Sequence, residues 1–132
     1  MGFYKIYTEQ KQFLDAQRQC RNDGAYLAYP TSDAENTFIA GLVPTANFWI
    51  GVNDIDQEDK WVTKDGRDIL YANWRNNEPN NVGNDEDAVV IYGSATPYPG
   101  LWNDIPKYME HQFVCSFSFE SKFSITNAPC KT

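Results

Sequence analysis

The sequence predicts an α+β fold with two helices, short antiparallel sheets and one long polar loop. The chain has 132 residues, which is the size of one domain. Apolar residues at helical spacing occur in the first third, whereas the later apolar runs are short and bounded by turn residues, as in strands. Residues 73–87 contain almost no apolar side chain. A polar loop of that length inside a small domain is usually functional.

The first third supplies a strand and both helices. The aromatic run at residues 3–7 predicts a strand. Apolar spacing predicts a helix over residues 11–23, with Gly24 as its stop. Residues 32–35 (Ser-Asp-Ala-Glu) form a capping-box pattern, so we expect a second helix over residues 34–42.

Short strands follow Pro44. We expect a hairpin of residues 60–62 and 69–71 around the turn at 64–66. The remaining predicted strands are residues 48–52, 88–92, 101–104 and 112–119. Three tryptophans are expected to be buried in the core: Trp49, Trp61 and Trp102. The fourth, Trp74, is expected either in the core or as an anchor for the polar loop.

Composition excludes several classes of protein. Hydrophobic residues make up 42% and aromatic residues 15%, which excludes intrinsic disorder. No apolar stretch approaches the ~20 residues that cross a bilayer, so we expect no membrane-spanning segment. Eleven basic and eighteen acidic residues give a net charge of -7, which disfavours a nucleic-acid partner. An acidic surface suits hard cations where carboxylates cluster.

The cysteines and the first residues of the chain help to predict whether the protein is cytosolic or secreted. Cys20, Cys115 and Cys130 are too widely spaced for a zinc site of the CxxC type, and His111 is the single histidine, expected at the surface. An odd number of cysteines leaves one outside any intrachain bridge. Residues 1–3 do not resemble a signal peptide, so either a cytosolic protein or a mature secreted form with an added Met is expected.

The polar loop offers only hard oxygen ligands. Calcium takes six to eight such oxygens, whereas zinc and copper prefer His or Cys. An Asn amide can bind a cation through its oxygen and still donate a hydrogen bond through its NH2 group. A carboxylate that binds the cation can still accept a hydrogen bond. Together, these groups could bind the hydroxyl groups of a sugar. Two alternatives stay open: a solvated turn, and a glycosidase pair of Glu78 and Glu86. The oxygen donors are Glu78, Asn80, Glu86, Asn103 and Asp104.

The chain resembles a C-type lectin-like domain from about Phe3 to Phe119. Several motifs in the right order and spacing carry the resemblance. They are Cys20 followed by Gly-Ala-Tyr-Leu-Ala, then Trp49-Ile50-Gly51, Asn73-Trp74, Glu78-Pro79-Asn80, Trp102-Asn103-Asp104 and Phe113-Val114-Cys115.

The resemblance implies two calcium sites, a cis peptide bond before Pro79 and a disulfide between Cys20 and Cys115. A further family disulfide is absent, because its positions hold Ala88 and Lys107. The principal calcium, which also holds the sugar, would be bound by Glu78, Asn80, Glu86, Asn103 and Asp104. The second, less charged site would use Asp54, Glu58, Asn81 and Asp87.

The implied function is calcium-dependent carbohydrate binding by a secreted, extracellular lectin with no enzymatic activity. Glu-Pro-Asn resembles the order that selects mannose-type sugars with equatorial hydroxyls on carbons three and four: mannose, fucose, glucose and N-acetylglucosamine. Glycans on cell or microbial surfaces are the implied partners. The alternative is a protein-ligand or ice-binding module on the same scaffold.

The chain divides into a lectin-like domain, residues 1–119, and a polar tail, residues 120–132. With Cys20 and Cys115 assigned to each other by the resemblance, Cys130 is left on the tail. We therefore expect a homodimer linked by a Cys130 disulfide.

Overall fold

The computed structural model describes residues 2–79 and 85–118, and at Asp65 and Ser118 it describes the backbone alone. Two helices and six strands are found in these ranges. In chain order they are β1 (Gly2–Lys11), α1 (Phe13–Asn22), β2 (Tyr26–Leu27), α2 (Asp33–Ala40), β3 (Asn47–Asn53), a 3-10 turn (Lys64–Gly66), β4 (Ala88–Tyr92), β5 (Trp102–Ile105) and β6 (His111–Ser118). The predicted α+β class is confirmed.

The six strands form one mixed sheet. Its order is β1-β6-β3-β4-β5, and β2 also pairs with β6. The β3–β6 pair is parallel, with Trp49 beside Phe113, whereas the other pairs are antiparallel. The expectation of antiparallel pairing alone is therefore wrong at this point. No hairpin joins β3 to β6, so no turn dictates their relative direction.

Both helices form where the sequence predicts them. Helix α1 buries Phe13, Ala16 and Cys20, and Gly24 follows it with a φ of 80°. Helix α2 is capped by Ser32, whose side chain accepts a hydrogen bond from the Glu35 N–H at 3.2 Å. The reciprocal half of the capping box is shifted by one residue, because the Glu35 carboxylate accepts from the Thr31 N–H at 2.7 Å.

The predicted hairpin over residues 60–71 is reduced to single bridges. Val62 pairs with Asn53 on one side and Asp68 on the other. The next backbone donors, the N–H groups of Leu70 and Tyr71, are bonded to the Tyr29 hydroxyl at 3.0 and 3.1 Å. The Tyr29 side chain thus accepts the hydrogen bonds that these two N–H groups would have donated to a neighbouring strand.

A disulfide joins α1 to the sheet. Cys20 and Cys115 are bonded, with their Cα atoms 5.4 Å apart at a sequence separation of 95, which confirms the pairing. Closing a loop of this length stabilises the fold by roughly 4–5 kcal/mol in the chain-entropy model. Both cysteines are fully buried, beside Phe13 and Trp49.

The aromatic residues follow the predictions except at two positions. Trp49 and Trp102 are fully buried, but Trp61 is only partly buried and packs on Trp74 with their ring centroids 5.0 Å apart. His111 is also half-buried, edge-on against Trp49 at 5.3 Å, so its expected surface position is wrong. Burial lowers the pKa of its imidazole. The reason is its place at the start of β6, a strand with neighbours on both sides.

One buried amide ties α2 to β5. Asn36 is only 3% exposed, and its Nδ2 donates to the Gly100 carbonyl at 2.8 Å. Its Oδ1 accepts from the Trp102 indole N–H at 2.8 Å. The Asn73 Nδ2 donates to the same Gly100 carbonyl at 2.7 Å. Asn36 therefore fixes the start of the strand that carries Asn103 and Asp104.

No helix among the described residues is both long enough and apolar enough to pass through a membrane.

Replacing the Asn36 amide should destabilise the fold. Asn36→Ala leaves the buried Trp102 N–H without its acceptor, so the free energy of unfolding should fall by roughly 2–3 kcal/mol. Asn73→Ala is the matched control, because the Gly100 carbonyl keeps its bond to Asn36, and it should cost about 1 kcal/mol or less. Urea unfolding measures both; equal losses would contradict the role given to the indole bond.

Candidate metal and ligand site

Two elements supply the described residues of the principal set. Asn103 and Asp104 lie in β5, where they pair with Val90 and Val89 of β4. Glu78 lies on the loop that precedes the undescribed residues, and Glu86 lies shortly before β4. The peptide bond between Glu78 and Pro79 is cis, as expected. Asn80 falls outside the described residues.

The Glu78 carboxyl group lies in an acidic, partly buried environment. Burial and then Asp104 and Glu86 raise its pKa to about 7, and the nearby Arg75 opposes this rise. One oxygen of Glu78, Oε1, and the Asn103 Oδ1 are buried without a hydrogen-bond partner among the described residues. Buried acceptors almost always have a partner, so these two oxygens are candidate ligands for a cation.

Among the described residues, the acidic group whose carboxylates come close enough to share one ion belongs to the second predicted set. Asp54, Glu58 and Asp87 each place a carboxylate oxygen within 4.8 Å of the others. Asp54 is 2% exposed; its Oδ2 accepts from the Asp59 N–H at 2.8 Å, while its Oδ1 has no partner among the described residues. The fourth member, Asn81, lies outside those residues.

Mutual repulsion perturbs this second cluster as well. Burial, and after it Asp87 and Glu58, raise the pKa of Asp54 to about 7, against the opposing Asp59 N–H. Burial and then Asp59 and Asp87 raise the pKa of Glu58. The charge of Asp104 raises the pKa of Glu58 too, so the two clusters act on each other electrostatically.

The described donors fit a hard divalent cation. They are carboxylate and amide oxygens, without sulfur or imidazole, and three of their buried oxygens have no partner in the described ranges. Calcium tolerates irregular oxygen cages of this kind. The raised pKa values mean that Asp54, Glu58 and Glu78 tend to hold a proton. A bound cation would displace these protons, because carboxylates that bind a metal must be ionised.

The sequence did not predict the aromatic and cationic neighbours of the principal cluster. The Asn103 Nδ2 donates to the Tyr92 hydroxyl at 3.3 Å. The Arg75 guanidinium lies 3.8 Å from the Tyr98 ring centroid and 6.0 Å from that of Tyr92. The sequence contains one indication of these neighbours, which is that Arg75 is only three residues from Glu78. The contacts with Tyr92 and Tyr98 could not be predicted, because they form only when the chain turns between β4 and β5.

Comparison with protein-family models decides the family. Residues 9–117 match the model described as the lectin C-type domain, which is most of the chain. This chain belongs to the C-type lectin family. The fold is therefore that of a C-type lectin domain.

Curated relatives include longer proteins. The chain is 33% identical to collectin-11 of Bos taurus over 121 residues, which cover 89% of the chain and 43% of the collectin. It is 38% identical to lectin BRA-3 of Megabalanus rosa over 114 residues, or 85% of the chain and 68% of that lectin. The C-type lectin domain thus spans less than half the length of this collectin.

Solved structures share the C-type lectin fold. The carbohydrate-recognition domain of the mouse scavenger receptor C-type lectin superposes with a TM-score of 0.79 at 29% identity, covering 87% of this chain and 88% of that one. A calcium-independent type II antifreeze protein superposes with a TM-score of 0.77 at 21% identity, covering 87% and 85%. The second likeness shows the fold alone.

Stability should depend on pH and calcium together. The pKa values of Asp54 and Glu78 are about 7 in the folded chain, against about 4 in an unfolded one. The folded state then holds more protons, so without calcium these groups should lower stability as pH rises from about 4 to 7. Calcium should raise Tm little near pH 4 and most at pH 7 and above.

Asp54→Asn tests this with Asp56→Asn, an exposed neighbour, as its control. In thermal melts with and without calcium, Asp54→Asn should flatten the pH dependence and reduce the calcium increment, while Asp56→Asn should behave as wild type. A calcium increment that is the same at every pH would contradict the coupling.

Proposed function

We propose that this C-type lectin domain is a calcium-dependent carbohydrate-binding module and not an enzyme. The observation that carries the proposal is the pair of buried oxygens, Glu78 Oε1 and Asn103 Oδ1, that lack a partner among the described residues. Glu78 lies on the polar loop next to Asp104, the residue that follows Asn103 in β5, and in this proposal one cation satisfies both oxygens. The relatives named as lectins support carbohydrate as the ligand.

The proposed ligand sets are those that the family resemblance implies. The principal calcium is bound by Glu78, Asn80, Glu86, Asn103 and Asp104, which also contact the sugar. The second is bound by Asp54, Glu58, Asn81 and Asp87. The clustering of Asp54, Glu58 and Asp87 supports the second set directly.

The chain's own groups orient the sugar. A bound calcium would supply direct coordination of two sugar hydroxyl oxygens. The Asn103 amide then donates through Nδ2, since its present bond to the Tyr92 hydroxyl is long at 3.3 Å and is readily shared. The Glu78 carboxylate accepts from a hydroxyl while it ligates the cation. Each hydroxyl thus meets a metal, a donor and an acceptor.

The raised pKa of Glu78 does not indicate a catalytic acid. Its causes are burial first and then the contact with the neighbouring Asp104. The two carboxyl groups of a glycosidase are about 5 Å or more apart, so that the sugar lies between them. Calcium in this cluster would remove the proton that acid catalysis needs, so ligation and proton donation exclude each other here.

We propose mannose-type selectivity from the order Glu78-Pro79-Asn80. The Glu78 carboxylate at one end of the motif accepts a hydrogen bond, and the Asn80 amide at the other end donates one. Two adjacent sugar hydroxyls therefore have to bind in one defined order. The accepted sugars are then mannose, fucose, glucose and N-acetylglucosamine, displayed on cell or microbial surfaces. The protein acts as a secreted, extracellular lectin in this proposal.

Binding to mannose-agarose tests the proposal. The protein should be retained in calcium and released by chelator. Glu78→Gln should abolish retention because the cluster loses a ligand charge, whereas Glu9→Gln, an exposed change of the same charge, should bind as wild type. Equal retention in calcium and in chelator would overturn the proposal and favour the protein-ligand or ice-binding alternative.

The double variant Glu78→Gln with Asn80→Asp tests the selectivity. Exchanging the two ends of the motif reverses donor and acceptor, so preference should move from mannose toward galactose by about 10-fold or more, as expected for a reversed hydrogen-bond pair. Glycan-array profiles of the folded, calcium-binding variant measure it. An unchanged profile would contradict the assigned geometry.

We further propose that residues 1–119 are the lectin domain and that Cys130, on the tail of residues 120–132, links a homodimer. Cys130 lies outside the described residues; the support is that Cys20 and Cys115 are bonded to each other. A single shallow site binds weakly, and joining two sites raises apparent affinity ~100-fold or more. Non-reducing electrophoresis should show a band at twice 15.1 kDa that Cys130→Ser removes.

A further inference from the structure

A cavity of about 400 Å³ lies between β2 and residues 63–70, and it contains none of the proposed calcium ligands. Its size falls within the range of small-molecule sites. The floor is formed by Leu27 and the neighbouring Tyr26 of β2, with Ser116 of β6 beside them. The walls include Tyr29 on one side and Lys64 with Arg67 on the other.

The walls are held by hydrogen bonds and so are largely preformed. The Tyr29 hydroxyl accepts from the backbone of Leu70 at 3.0 Å, which fixes one rim. On the other side, the Thr63 N–H donates to the Arg67 carbonyl at 2.8 Å and closes the 3-10 turn. A ligand therefore does not have to order this segment before it binds.

Apolar surface and positive charge adjoin in this cavity. Leu70 is 95% exposed at its rim, although a large aliphatic side chain gains by leaving water. The Lys64 ammonium lies 4.7 Å from the Tyr26 ring centroid. Aromatic, aliphatic and cationic groups are thus all available to one ligand.

The two cations lack acidic partners in the described part of the chain. The ion pairs found there involve other cations, and Asp68, on the cavity rim, pairs with Lys60 at 3.5 Å. Within the described residues, no ion pair neutralises Lys64 or Arg67 beside this cavity, which is unexpected in a chain whose net charge is -7. These two cations attract an anion, and the apolar floor selects one that carries a hydrophobic body.

We propose that this cavity binds small amphipathic organic anions. The aromatic or aliphatic body of the ligand packs on Tyr26, Leu27 and Leu70, and its carboxylate, sulfate or sulfonate group lies against Lys64 and Arg67. The site is independent of calcium and of sugar binding, because it shares no residue with either acidic cluster.

Titration of the intact protein with anilinonaphthalene sulfonate, a fluorescent aromatic anion, tests the proposal. Binding should be saturable at one site, with the same affinity in calcium and in chelator. Lys64→Ala with Arg67→Ala should weaken it about 10-fold or more, the expected loss of a charge-assisted contact. Arg18→Ala with Arg21→Ala, the same charge change on exposed residues of α1, should leave affinity within about twofold.

A second probe separates charge from hydrophobic contact. Phenylnaphthylamine lacks the sulfonate, so it should bind the wild type and the Lys64/Arg67 double variant equally. Leu70→Ser, at a side chain that supports no core packing, should weaken both probes. Equal sulfonate affinity in the wild type and the Lys64/Arg67 double variant would overturn the proposal, as would amide NMR shifts confined to residues outside 26–29 and 63–71.

Discussion

The packing of Trp102 is the interaction on which the geometry of the site depends. Its fully buried indole contacts the rings of Tyr29, Tyr71 and Trp74, and its N–H is bonded to Asn36 of α2. Its backbone N–H donates to Asn73, and its carbonyl accepts from the Arg75 N–H. The next two residues of the chain are Asn103 and Asp104. One side chain thus holds together β5, α2 and the start of the polar loop, which are far apart in sequence.

That rigid frame forces like charges together. Side chains that could turn away from each other on a mobile loop are fixed where burial and the neighbouring carboxylates raise the pKa of Glu78. Such an arrangement opposes folding in the absence of a counter-charge. The same arrangement increases the affinity for a cation, because the carboxylates are already ordered and binding does not have to order them. Stability and ligand affinity are therefore set by the same residues.

The sequence predicted local structure better than it predicted contacts between distant segments. Ser32 and Gly24 mark helix ends through their own conformational preferences, and both were placed correctly. The Asp54, Glu58 and Asp87 cluster followed from family resemblance, since nothing local brings residues so distant together. The reduced hairpin, the parallel β3–β6 pair and the position of His111 all depend on tertiary neighbours, which periodicity does not report.

The Cys20–Cys115 disulfide has a mechanical consequence. β1 pairs with β6 so that Gly2 lies opposite Ser118, and a force that separates these two positions peels the strands apart one pair at a time. On β6 the peeling stops at Cys115, and once residues 6–19 have also been drawn out the covalent bond to Cys20 takes the load. Residues 21–114 lie inside the closed loop and carry no tension. The described members of both acidic clusters are in that segment, so the pulling force does not act on the backbone that holds them.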